Sequence, residues 1–180
     1  MNKKVLLVIA IIVLVGSFSL AAAVPSIFDI GLVNSYSIQS FMNQEFAAYT
    51  PAIRLSGYLC KWFGVSVDVG VVAPFVDMNE PLALELVGNA VVRYPFGLVE
   101  PYLAVGPAYR MTVGPDYFEV EEEVLINARV GLDFNILPVL GVGVEAQHFI
   151  NLPLLVEDTD FYADGALAET RVAITVKAKF

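Results

Sequence analysis

His148 and Cys60 are the single histidine and the single cysteine of this 180-residue chain, so any reaction it performs has few groups to work with. A serine hydrolase site would join His148 to a serine and a carboxylate held in space. The serines after the leader are Ser26, Ser35, Ser37, Ser40, Ser56 and Ser66, and none stands in a local pattern with His148. A set built with Ser35 or Ser37 is the version sequence leaves open. Acidic runs at Glu121, Glu122 and Glu123 and at Glu157, Asp158 and Asp160 offer oxygen ligands for a divalent cation. Their spacing is not that of a calcium loop, so they read as solvated loops. A lone cysteine forms no internal disulfide, and Cys60 beside Lys61 and Trp62 reads as a turn residue. The expectation is therefore no catalytic residue, no cofactor and no metal.

A different set of charges is more informative. Arg54, Arg93, Arg110, Arg129, Arg171, Lys177 and Lys179 fall at the same alternating parity as Asp29, Asp68, Glu85, Glu100, Asp133 and Glu145. Seven bases and six acids sharing one face can neutralise one another, which is what charged groups need once they leave water. Gly31, Ser56, Ser66, Gly70, Ala104, Gly131, Gly143 and Thr175 lie among them, so the face is crowded with small residues.

The elements that must carry this face are strands. Val65, Val67, Val69 and Val71 alternate with Ser66, Asp68 and Gly70, and Val172, Ile174, Val176, Ala178 and Phe180 alternate with Arg171, Ala173, Thr175, Lys177 and Lys179. Similar segments run about 27–34, 51–59, 64–75, 82–94, 98–111, 121–134 and 139–150, which with the last makes eight. Connections at 60–63, 95–97 and 135–138 are tight and hold Gly, Pro or Asn, as hairpin turns do. Those at 35–50, 76–81, 112–120 and 151–167 are mostly longer and more polar. Prolines at 101 and 107 interrupt the fifth segment and suggest a bulge or a changed register there.

Composition decides which face meets which solvent. The chain is 57% hydrophobic and 16% charged, with a net charge of −9, which excludes a basic nucleic-acid surface. Its mean hydropathy of +0.69 asks for a lipid-facing surface, yet after residue 23 no run approaches the roughly 20 apolar residues of a spanning helix. On the strands the uncharged face is aliphatic, and a charge there would cost about 2–4 kcal/mol in hydrocarbon. The charged face is then a lumen. Trp62, Phe63, Tyr94, Phe96 and Phe134 near the short turns, and Phe75, Tyr109, Tyr117, Phe118 and Phe149 toward the long loops, read as interfacial girdles. The remaining acids, among them Glu45, Asp77, Glu80, Asp116, Glu119, Asp164 and Glu169, gather in or beside the long connections.

Ahead of all this, Lys3 and Lys4, the apolar stretch Val5 to Val15, and Ala21 and Ala23 follow the order of a secretory signal peptide cut before Val24. The expected organisation is thus a signal peptide over 1–23 and one domain over 24–180. That domain is an all-β, eight-stranded antiparallel up-and-down transmembrane barrel with no repeat or linker.

The leader, the eight alternating segments, the phrases YPFGLVEPYLAVGPAY (94–109) and GLDFNILPVLGVGVEA (131–146), and the strand ending on Phe180 together resemble the small outer-membrane barrels of the OmpA, OmpX and OmpW kind. The resemblance implies an outer-membrane location, with short turns in the periplasm and long loops outside. It also implies that Val172, Ile174, Val176, Ala178 and Phe180 form the signal read by the barrel-assembly machinery. The partners implied are the lipid bilayer of the outer membrane and that machinery, with the extracellular partner unknown. For function it implies a non-enzymatic structural or surface-interaction protein. The alternatives are a narrow OmpW-like channel for small or apolar solutes and a lipid-modifying enzyme.

Overall fold

The computed structural model describes residues 26–43, 49–72, 82–113, 120–151 and 170–180. The expected leader and its cleavage site lie outside these residues, as do most of the long connections. Eight strands form, β1 (Phe28–Ser37), β2 (Tyr49–Tyr58), β3 (Phe63–Val72), β4 (Leu82–Arg93), β5 (Val99–Val113), β6 (Val120–Leu137), β7 (Leu140–Asn151) and β8 (Thr170–Lys179), with one short helix, α1 (Ile38–Met42), after β1. Each strand pairs antiparallel with the next, and β1 pairs with β8, closing the barrel. Following the pairs once around displaces the starting residue by about ten positions, a stagger that goes with strand tilts of roughly 35–45°.

Burial is inverted relative to a soluble barrel. Leu32, Ile53, Val69, Leu103, Val130 and Ile174 are each more than half exposed on the outside, whereas Arg54, Glu145, Lys177 and Asp29 are buried inside. The alternation that defines the strands therefore also sorts the side chains, because successive residues of a strand point to opposite faces.

Several strands run past the ends that polarity suggests. β1 continues to Ser37 and β2 starts at Tyr49, although Ser35 to Thr50 reads as a loop in the sequence. Ser35 and Thr50 are buried in the wall, and the Ser35 hydroxyl donates to the Thr50 carbonyl at 3.3 Å. Ser37 accepts from the Ser40 amide at 2.9 Å and so caps α1. β5 and β6 extend to Val113 and Val120 as one ladder, which takes Glu121, Glu122 and Glu123 into a strand. Glu122 is exposed on the outward face, where the sequence expectation had no charge; it lies beyond Val124, toward the β5–β6 connection.

The prolines of β5 bring no bulge or change of register. β5 pairs without a shift from Val99↔Phe134 to Val113↔Val120, and its pairs with β4 keep one register on both sides of Pro107. The N–H groups the prolines lack fall on the β4 side. There, Pro101 sits just past Arg93 and Pro107 sits opposite Gly88, where the ladder has a short gap. The shift that does occur is at Asn135 and Leu137, beside the β6–β7 turn. The β4–β5 turn uses Gly97 at φ 70°, a conformation that favours glycine.

Candidate functional site

The lumen is where this chain concentrates its chemistry, and its side chains fall into three groups. At the middle, Arg54 of β2 grips two carboxylates at once. Its Nε and Nη2 donate to Asp68 at 2.8 and 2.6 Å, and its Nη1 and Nη2 donate to Glu145 at 2.7 and 2.8 Å. Arg129 adds a second donor to Asp68 at 2.7 Å and reaches the Ser66 hydroxyl at 2.9 Å. Glu145 also accepts from the Tyr102 hydroxyl and the Gln147 amide. Two planar forks meeting two carboxylates is the strongest ion-pair geometry side chains make. Tyr102 fits because Gly131, its paired neighbour on β6, has no side chain where the ring lies.

Toward the short turns, Arg93 is almost fully buried. It donates to Glu100 at 2.9 Å, to the Ser26 carbonyl at 2.6 Å and hydroxyl at 3.1 Å, and to the Lys61 carbonyl at 3.2 Å, with its guanidinium 3.3 Å from the Tyr58 ring centre. Lys177 pairs with Asp133, while Lys179 reaches Asn135 and, at 3.4 Å, Glu100. Toward the long connections, Arg171 and Arg110 share Glu85 at 2.9 and 3.2 Å, and Arg110 reaches Glu123 at 3.0 Å. Beneath this outer group lies an apolar layer of Val87, Ala108, Leu125 and Phe149, with the Arg171 guanidinium 4.5 Å from the Phe149 ring.

All thirteen charges assigned to the lumen by parity face inward, and the structure brings twelve of them into ion pairs. Asp29 is the exception: it is buried on β1 between Lys179 and Ser56, yet neither carboxylate oxygen accepts a hydrogen bond among the described residues. Asp133 pairs with a lysine, whereas Asp68, Glu85, Glu100 and Glu145 each meet an arginine.

Parity also shows what the sequence reading misplaced. Phe149, expected in a girdle, is fully buried in the lumen because it shares the parity of Glu145 and Gln147. Glu123, expected among loop acids, sits inward on β6 and completes the outer group. Tyr58, Tyr102 and Gln147 also line the lumen, and counting by twos from Arg54, Glu100 and Glu145 reaches each of them. Trp62, Phe63, Tyr94, Phe96 and Phe134 do point outward near the short turns, with Trp62 edge-on to Tyr94 at 4.9 Å. Phe75, Tyr117 and Phe118 lie outside the described residues.

His148 stands on the outer face of β7, its Nδ1 2.9 Å from the Thr170 hydroxyl. Ser35 is on the inner face of β1 and Ser37 binds Ser40, so the serine–histidine pair left open by sequence is not assembled. Cys60 is exposed in the β2–β3 turn. Among the described residues no cluster of His, Cys, Asp and Glu has the arrangement of a metal site.

No protein-family model matches the chain, and no curated protein does. Solved structures do. The N-terminal β-barrel domain of Pseudomonas aeruginosa OprF is similar with a TM-score of 0.63 at 11% identity, over 85% of this chain and 96% of that one. The de novo designed barrel TMB2.3 gives 0.54 at 11% identity, over 87% and 95% of the two chains. Neisserial surface protein A gives 0.50 at 11%, over 85% and 94%. At these identities the likeness speaks for architecture, and the architecture it shows is that of the small eight-stranded membrane β-barrels.

Proposed function

We propose that this chain is a non-enzymatic outer-membrane β-barrel whose lumen is a plug and whose acidic long connections form its outward working surface, in a structural or surface-interaction role. The observation that carries the plug is the middle group: Arg54, Asp68, Arg129 and Glu145 leave at most 7% of any of their side chains exposed. A water-filled path past them would leave these groups wet. An eight-stranded barrel encloses about enough space for its own side chains, and here those side chains neutralise one another.

Membrane insertion is supported by the aliphatic exterior, since a soluble protein rarely exposes an apolar patch of more than a few hundred Å². In this reading residues 1–23 are a removed leader and 24–180 the barrel. The bilayer covers the strands, and the outward row Val172, Ile174, Val176, Ala178 and Phe180 is recognised during assembly. Phe180 also ties the barrel shut, its amide donating to Phe28 and its carbonyl accepting from Ile27, both at 2.8 Å.

Sidedness is tested with the chain's own cysteine. Cys60, in a short turn, is expected to resist a membrane-impermeant maleimide in intact cells and to react once the outer membrane is permeabilised. A cysteine placed at Gly114 in the β5–β6 connection is expected to react in intact cells. The opposite pattern overturns the orientation.

A further inference from the structure

Two hollows of about 630 and 520 Å³ open on the outside of the wall formed by β4 to β8. They share Val92, Leu103, Val130 and Ala146, so they are two reaches of one groove. Its floor is made by small residues: Ala90, Ala128 and Ala146 stand two positions from the larger outward side chains of Val92, Val130 and Val144. The register explains its course. Ala90, Val105, Ala128, His148 and Thr170 are consecutive partners across β4, β5, β6, β7 and β8. Because the strands tilt, this row climbs as it crosses them. Ala90 is three positions from the short-turn end of β4, whereas Thr170 is nine from the short-turn end of β8.

Ten residues of β8 match the roughly 9–11 that a tilted strand needs to cross the hydrocarbon, so Thr170 and His148 mark its boundary on the long-loop side. The groove therefore has a polar pair at one interface and an apolar floor running from it into the bilayer core. That polarity is the polarity of a single amphiphile, with a head at the interface and a chain below it. We propose that this groove is a lipid-binding site, holding one acyl chain of a lipid of the long-loop leaflet with its polar head against His148 and Thr170. This rests on the membrane reading above but not on the plugged lumen, since the groove and the ion pairs lie on opposite faces of the wall.

The test uses the folded full-length barrel in nanodiscs of phosphatidylethanolamine and phosphatidylglycerol, doped with phosphatidylethanolamine bearing a diazirine in one acyl chain. After photolysis, peptides carrying Ala128 and Ala146 are expected to hold severalfold more adduct than those carrying Ile53 and Val67 on the far side. Filling the groove with Ala128→Phe and Ala146→Phe should bring the two sides level, while Val67→Phe leaves the excess intact. His148→Ala should lower it about threefold. Ala128→Leu serves where the double variant does not fold, as judged by heat-dependent gel mobility. Even labelling around the barrel, an excess that survives filling, or crosslinks between two copies through these same residues would overturn the site. Failure to enter nanodiscs at all would instead overturn the membrane reading.

Discussion

The middle and outer groups of the lumen use the same residue types to different effect. In the middle, each carboxylate of Asp68 and Glu145 meets two guanidinium groups and all four partners are buried. In the outer group Arg110 donates through Nε and Nη2 to one oxygen of Glu85, at 3.3 and 3.2 Å, and through Nη1 to Glu123, whose side chain is 43% exposed. The lesson is that an ion pair matters through what its loss would leave behind. Removing a buried partner strands a charge away from water, whereas removing an exposed one returns its mate to solvent.

The largest expected effect follows from breaking the middle. Arg54→Met leaves two carboxylates short of their main donor and should destabilise the barrel by about 3–5 kcal/mol, read from urea unfolding in lipid vesicles. Double replacement with Asp68→Asn should recover part of that loss, because one of the stranded charges goes too. A loss no greater than that of Glu123→Gln would erase the distinction between the groups.

Next comes the wall itself. Val130→Arg puts a charge on the aliphatic face and should cost about 2–4 kcal/mol in the same assay, an effect that shrinks in a detergent that wets this face. Tyr102→Phe removes one hydroxyl donor to Glu145 while the ring stays seated over Gly131. About 1.5–3 kcal/mol is expected, as for a hydrogen bond to a charged group. At the bottom of the scale, Glu123→Gln should change stability by about 0–1 kcal/mol, and that small effect should fade in high salt. A salt-insensitive loss of several kcal/mol would place Glu123 with the middle group instead.

The sequence made the barrel legible because one periodicity carries two messages, strand and face. Arg54, Asp68, Arg129 and Glu145 could be set inside from their parity alone. Which partner each would take could not, since that depends on how residues far apart in the chain meet across the lumen. Arg54 and Glu145, on β2 and β7, are such a pair. Strand ends were obscured where small polar residues such as Ser35 and Thr50 suit either a loop or the inner wall. Phe149 lies in the lumen although an aromatic near a strand end also suits a girdle, because its parity is that of Glu145 and Gln147. Neither proline of β5 needs a bulge, because Pro107 lies at a gap opposite Gly88 and Pro101 lies past the end of β4.

The proposed plug is tested most directly by recording current through single barrels in a planar bilayer. The filled, neutralised interior around Arg54 should give no stable open level, with nothing beyond brief, small events. A steady conductance of nanosiemens scale in the unmodified protein would mean that the ion-paired groups do not close the barrel, and the plug would have to be abandoned.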